Sequence, residues 1–357
     1  MDRPTLLPHL RPLWRDRTTL QLGIDPDRAL VVEFARPVAT RILGLLDGTR
    51  TDRVVYDDAR RLGIPTDHVA AVLDALRAAG ALIGAGMLLP AGVPHARRRR
   101  LAAEATALAT RLAAGAATPA QVLSRRGDAR VLVAGQPRLV TPIGVALAAA
   151  GVGHVATLVP GGVCTADDVA VGGLTSSDVG RSTAEAVART VRAAAPGADT
   201  SPLRPEEAMF IVRVGFDPTP AALAARAYAR RRLPHLAVTV RDGRVVVGPF
   251  VPPAGSPCLG CLDLHRTDRD PAWRRLAAQL ATDPPPSQAC ATTTVLFGVG
   301  YAVSEVLAYL DGGSPRTRGS CVEIDADGAG RRRSWSSHPR CDCRRVRRSG
   351  SDRSESI

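Results

Sequence analysis

The 357-residue chain contains no lysine and no asparagine, so all 47 of its Lys+Arg positions are arginine. Against 34 acidic residues they leave a formal net charge of +13. Codons for Arg, Ala, Gly and Pro are GC-rich, so base composition accounts for the bias. The chemical consequence stands: no lysine can sit on a phosphate or form a Schiff base. Aromatics are only 3% of the residues, so the core has to be built from Ala, Val and Leu. No uninterrupted apolar run approaches the ~18 residues of a membrane span. The start, Met1-Asp2-Arg3-Pro4, lacks the apolar stretch of a secretory signal, and a cytoplasmic protein without a membrane partner is expected. A hydrophobic share of 45% beside 23% charged residues excludes a wholly disordered chain. At roughly 150 residues per domain the length suggests two to three domains.

Seven cysteines are present, an odd count that argues against a disulfide framework. Four fall in two tight pairs, Cys258-Leu259-Gly260-Cys261 and Cys341-Asp342-Cys343. Four thiolates are the complement of a closed tetrahedral zinc site, which leaves no open coordination position and so points to a structural role. Such an ion would clip the C-terminal segment onto the preceding domain. His338 is an alternative ligand, although Pro339 beside it suits a turn. Cys290 is expected in the core of an apolar helix; Cys164 and Cys321 have no assigned role.

Residues 14–90 read as a small unit. Leu20–Ile24 and Ala29–Phe34 form a hairpin around Asp25-Pro26-Asp27. Helices are expected over 38–46, 54–62 and from Pro65, the last carrying Val69, Val72, Leu73 and Leu76 on one face and closed by Gly80. Leu82-Ile83 and Met87-Leu88-Leu89 would make a terminal wing. The boundaries expected are a winged-helix unit over 1–90, a helical linker over 91–127, an α/β domain over 128–343 and a disordered Arg/Ser-rich tail over 344–357. In the α/β domain, Arg130–Gly135 is a buried strand, Ile143–Ala150 a helix and His154–Leu158 a second strand, a βαβ start. Strands follow at 209–214, 236–240 and 244–247, and helices at 185–194, 221–232 and 290–310.

A nucleotide-binding turn needs bare glycines where backbone N–H groups approach phosphate. Here it reads Gly135-Gln136-Pro137-Arg138: only Gly135 is in place, and Pro137 has no N–H. The second strand ends Leu158-Val159 rather than in the acidic residue that holds a ribose. The nucleotide site is therefore read as degenerate.

Taken in order, the βαβ start, Gly172-Gly173-Leu174, Gly248-Pro249-Phe250 and the two cysteine pairs resemble the ThiF/MoeB branch of the ubiquitin-activating-enzyme-like fold. Leu43-Gly44-Leu45-Leu46-Asp47-Gly48 and the Leu73–Leu82 segment resemble a PqqD-like unit. The whole is similar to actinobacterial cyclodehydratase-partner proteins of azole-modified peptide pathways. That resemblance implies a ThiF-like Rossmann-type domain with a zinc clip, preceded by a small winged-helix (α+β) peptide-recognition domain. It also implies a non-adenylating protein that captures a precursor leader peptide and presents it to a YcaO-type cyclodehydratase. ATP is not expected as a cofactor. Asp217 is the one residue near the family's magnesium-ligand position, and a helix cap is the plainer role for it. The leader is expected to add as a strand along Ala29, Leu30, Val31 and Val32, with Val72 and Leu76 lining the groove. A homodimer through the sheet domain is expected. The alternative is an active adenylyltransferase acting on a peptide or sulfur-carrier C-terminus. A DNA-binding regulator is disfavoured because Arg77 is the only cation on the third helix.

Overall fold

The computed structural model describes residues 3–7, 10–25, 29–33, 36–111, 117–215, 228, 231–253, 255, 257–282 and 289–343. The chain divides into two compact units, Met1–Ser124 and Arg125–Ile357. The boundary thus falls inside the segment expected to be a linker.

In the first unit, β2 (Pro12–Trp14), β3 (Thr19–Leu22) and β4 (Leu30–Glu33) form an antiparallel sheet in that order. Register pairs Leu22 with Leu30 and Leu20 with Val32. The period of two turns Leu20 and Leu22 inward, both fully buried. Helices α1 (Arg36–Leu43), α2 (Asp52–Arg61) and α3 (Thr66–Ala78) follow. Thr51 caps α2, accepting the Val54 N–H, a contact worth about 1 kcal/mol. On α3 the expected face is the buried one: Val69, Val72, Leu73 and Leu76 are at most 3% exposed and share one core with Leu20, Leu22 and Ile42.

The expected wing is corrected. Strand β5 (Leu82–Gly84) pairs antiparallel with β1 (Pro4–Leu6), and Ala85–Met87 is a 3-10 turn. The first residues thus supply the partner strand that a hairpin wing would have taken. Beyond it, α4 (His95–Arg111) packs Leu101, Ala105 and Leu108 against Val122 and Leu123 of α5 (Pro119–Asp128). This is a core of its own rather than a solvated linker helix.

The second unit is a seven-stranded mixed sheet. Strands β7 (His154–Leu158), β6 (Arg130–Gly135), β8 (Phe210–Val214) and β9 (His235–Arg241) run parallel. Strands β10 (Arg244–Val251), β11 (Ser320–Ile324) and β12 (Gly330–Ser334) extend it antiparallel, and β12 is the outer edge. Neither β11 nor β12 was expected from the sequence. One face carries α6 (Pro137–Ala149), α7 (Thr183–Ala194) and α10 (Thr292–Leu310), with α8 (Leu259–Arg269) and α9 (Trp273–Thr282) between β10 and α10 in the chain. Val131, Val133, Val212, Val238 and Val245 meet these helices. The scarce aromatics concentrate there, with Phe210, Phe250 and Tyr309 at centroid distances of 5.4–6.0 Å.

By length and composition α10 could cross a bilayer, contrary to the reading that no run approaches a span. Half of its apolar window is buried, with Val295, Ala302 and Val306 in the core, and helices inside soluble cores have the same composition.

Candidate functional site

Strand β10 breaks register between Val247 and Phe250. Before the break Val245 and Val247 face the helix-covered side; after it Phe250 does, and Val251 faces the other side. One inserted residue exchanges the faces of everything that follows. Gly248 is required at the break: its φ is +108°, and a Cβ would lie 2.6 Å from the Ser320 carbonyl oxygen. The chain then reaches Pro257 and Cys258 on the same side as Val251.

Cys258 is the N-cap residue of α8 and Cys261 lies in its first turn, so one helical turn brings both sulfurs together. Cys341 and Cys343 come from the C-terminal turn. The Sγ distances are 3.9 Å for Cys258–Cys261, 3.6 Å for Cys258–Cys341 and 3.4 Å for Cys261–Cys343. All four lie within 4.8 Å of one another. A tetrahedral ion with sulfur ligands at ~2.3 Å sets its sulfurs about 3.8 Å apart, so this cluster can hold a metal ion. S–H donation from Cys258 and then Cys343 draws the Cys261 thiol well below its ordinary pKa, while the Cys258 thiol is pushed far up by the bond it gives to Cys261. A cation removes that competition by letting every sulfur ionise.

Support around the cluster comes from residues that the sequence reading passed over. Cys261, His265 and Asp268 are four and three residues apart, one face of α8. His265 Nε2 lies 2.9 Å from the Ser336 carbonyl oxygen, and Asp268 accepts from His338 at 2.7 Å and from Arg340. His338 is 2% exposed, with its ring edge-on to His265 at 4.8 Å. It therefore orders the turn carrying Cys341 and Cys343 and is not a ligand. Cys290 precedes α10 and is half-buried; Cys321 lies in β11; Cys164 is core.

At the β6–β8 crevice the residues read as a degenerate loop form the end of β6 and the start of α6. Gln136 is the N-cap of α6 and Pro137 its first residue, a favourable place for a residue without an N–H. Gly135 has φ +130°, and a Cβ would sit 1.8 Å from the Val214 carbonyl oxygen; packing against β8 explains this glycine. Arg138 spans from α6 to the carbonyls of Asp167 and Val169 at 3.2 Å. Asp217 lies outside the described residues, as do Phe34, most of 221–232, and 344–357.

On the first unit, β4 is the sheet edge. Leu30 and Val32 are half-buried and Val31 is 48% exposed. Ala29 lies in the preceding turn, its N–H donating to the Asp25 carbonyl at 2.7 Å, so it is not part of the edge. Val72 and Leu76, at 3% and 0% exposure, are corrected from groove-lining to core positions. An amphipathic helix in a small unit turns its only apolar face to the core and has none left for a groove. Arg77 is paired with Asp52 at 2.9 Å and Asp74 at 3.5 Å. On α6, Val145 and Ala146 are only partly buried, whereas Ile143 and Leu147 are fully inside.

No family model matches the chain, and no curated protein is similar to it in sequence. Solved structures share its fold. E. coli MccB with ATP superposes with a TM-score of 0.65 at 14% identity, covering 96% of this chain and 99% of that one. The microcin C7 biosynthetic enzyme MccB in complex with N-formylated MccA gives 0.65 at 14%, with the same coverage. The heterocyclase TruD gives 0.59 at 15%, where the match spans 96% of this chain and 42% of TruD. The chain thus shares the fold of MccB.

Proposed function

We propose that this chain is a non-adenylating peptide-handling protein of ribosomal peptide maturation. It binds a precursor leader along β4 and presents it to a YcaO-type cyclodehydratase, in the cytoplasm and as a homodimer. The four cysteines hold a structural zinc that fastens the C-terminal turn to α8. The observation that carries the reading is the end-to-end likeness to MccB, a protein solved with N-formylated MccA, together with a strand, β4, at the sheet edge of the first unit among the described residues. Against adenylation stand Pro137, a residue without an N–H at the first position of α6, and the absence of any lysine.

Fluorescence anisotropy of a labelled leader encoded beside this gene tests binding, with micromolar affinity expected, about −8 kcal/mol. No binding of any such leader would reject the reading. The second reading, an active adenylyltransferase, is favoured by the likeness to MccB solved with ATP. Calorimetry with Mg-ATP and ATP–pyrophosphate exchange separate the two, and micromolar ATP binding would reverse their order.

A further inference from the structure

Strand β12 is the outer edge of the seven-stranded sheet, and all five of its residues are exposed. Its sequence, Gly330-Arg331-Arg332-Arg333-Ser334, pairs with β11 so that Arg331 stands opposite Glu323 and Arg333 opposite Cys321. Directly opposite residues share a face, so Arg331 and Arg333 point to the Glu323 side and Arg332 to the other. There Arg332 donates to the Arg316 carbonyl oxygen at 3.1 Å.

The Glu323 side is a cationic band. Val246 of β10 stands opposite Glu323, and Arg244 opposite Arg241 of β9. Arg241, Asp242, Arg244, Val246, Glu323 and Arg333 line one depression of about 220 Å³. Glu323 is 5% exposed and accepts from both Arg241 at 2.5 Å and Arg333 at 2.9 Å. Both contacts fall on the same oxygen, Oε1, so two cations share one carboxylate. Arg244 and Arg331 make no ion pair among the described residues. Arg266 is half-buried, and its pKa is lowered by burial and then by Arg241.

An edge strand exposes a row of unpaired N–H and C=O groups, and natural edges often carry charge to prevent pairing. A guard needs one charge. This edge has three consecutive arginines, with two more cations, Arg241 and Arg244, arrayed behind on one face, and the carboxylates of Glu323 and Asp242 line the depression with them. We propose that β12 is a docking strand for an extended acidic peptide, which adds to the sheet as the next strand and places carboxylates at alternate positions opposite Arg331 and Arg333. Backbone pairing supplies the geometry, and the alternation of carboxylates supplies the selectivity. By contrast the β4 edge exposes Val31 and Glu33, with no such band among the described residues, so the two edges suit different peptides. The inference stands whether or not β4 binds a leader.

The test uses the full chain and a fluorescein-labelled peptide of four Glu-Thr repeats, followed by anisotropy. The comparison peptide has the same composition with its glutamates in one block. The alternating peptide is expected to bind more tightly. Arg331→Glu should weaken it about tenfold, since it replaces an opposite-charge cross-strand pair by a like-charge one. Arg192→Glu on α7, equal in charge change, should leave it within about twofold, because α7 packs on β7 at the opposite edge of the sheet and acts on β12 only through a screened field. Two peptides N-methylated at odd or at even positions separate strand addition from charge attraction: one should lose binding and the other keep it. An unchanged melting temperature for Arg331→Glu verifies that the fold survives. Equal binding of the blocked peptide, equal loss with Arg192→Glu, or indifference to both N-methylation patterns would each overturn the proposal and leave β12 a charged guard.

Discussion

His338 donates through Nε2 to the Asp268 carboxylate at 2.7 Å, while its Nδ1 accepts the Arg340 N–H at 3.1 Å. The second contact fixes the tautomer: with Nδ1 accepting, the proton is on Nε2. One imidazole thus joins α8 to the turn that presents Cys341 and Cys343. The bond to His338, and after it the Arg340 charge, hold the Asp268 carboxyl below its ordinary pKa. His338→Ala should keep all four sulfurs but lose their orientation. Outer partners of metal ligands are worth about 10–100-fold in affinity. Zinc competition against a chromogenic chelator should show that loss, with Asp268→Asn intermediate.

The zinc itself is tested by stoichiometry. Purified protein should carry close to one equivalent per chain, and Cys258→Ser should lose it together with thermal stability. Full metal retention in a variant lacking both Cys341 and Cys343 would defeat the four-cysteine assignment.

Much of this centre was legible because the spacing of ligands is local information. Two cysteine pairs announce themselves, and so does the 3.6-residue repeat of Val69, Val72, Leu73 and Leu76 that α3 buries. The supporting His265 and Asp268 carried a weaker signal, their distances of four and seven residues from Cys261, which means something only once α8 is known to be a helix. The β1–β5 pair was out of reach: it joins Pro4–Leu6 to Leu82–Gly84, three residues each, through contacts nearly eighty positions apart. Strand β12 was hidden for another reason. A run of three arginines reads as solvated coil, and only the pairing with Ser320–Ile324 makes it a strand. The groove positions failed because periodicity identifies an apolar face without saying whether core or ligand receives it.

Gly135 offers a test of what that crevice is for. At φ +130° with the Val214 oxygen 1.8 Å from a built Cβ, any side chain must displace β6 or β8. Gly135→Ala should cost on the order of 3 kcal/mol or more in urea unfolding. Mg-ATP should produce no binding heat in either protein. A fully stable Gly135→Ala variant would contradict the packing explanation.

Burial holds His235 at a pKa of about 4 against its ordinary 6.5, with the Leu233 carbonyl raising it slightly and Arg213 lowering it. The ring is 1% exposed, and its Nε2 has no hydrogen-bond partner among the described residues. The folded state keeps this histidine neutral where the unfolded chain protonates it. Its stability contribution is therefore complete above pH 6.5 and is lost as pH falls toward 4, a change of order 3 kcal/mol. Urea midpoints of the wild-type chain should decline across that window. His235→Phe should flatten the decline while keeping the Tyr228 ring contact at this site.

The β4 edge makes the sharpest demand on the proposed function. In an antiparallel edge strand, successive residues turn their N–H and C=O groups alternately to the partner strand and to the open side. Of Val31 and Val32, one therefore bonds to β3 and the other offers its N–H to an incoming peptide. Proline removes that donor. Val31→Pro and Val32→Pro should thus behave oppositely: one disturbs the β3–β4 ladder and lowers the melting temperature of the first unit. The other leaves the circular dichroism spectrum intact and weakens leader binding by roughly one hydrogen bond, 0.5–1.5 kcal/mol or about twofold to twelvefold. Leu76→Ala is the control for the corrected groove. Leu76 is fully buried, so the truncation should cost about 2–5 kcal/mol of stability, and leader affinity should hold at temperatures where the unit remains folded. If both proline variants fold and bind the leader as the wild type does, β4 is not the recognition strand.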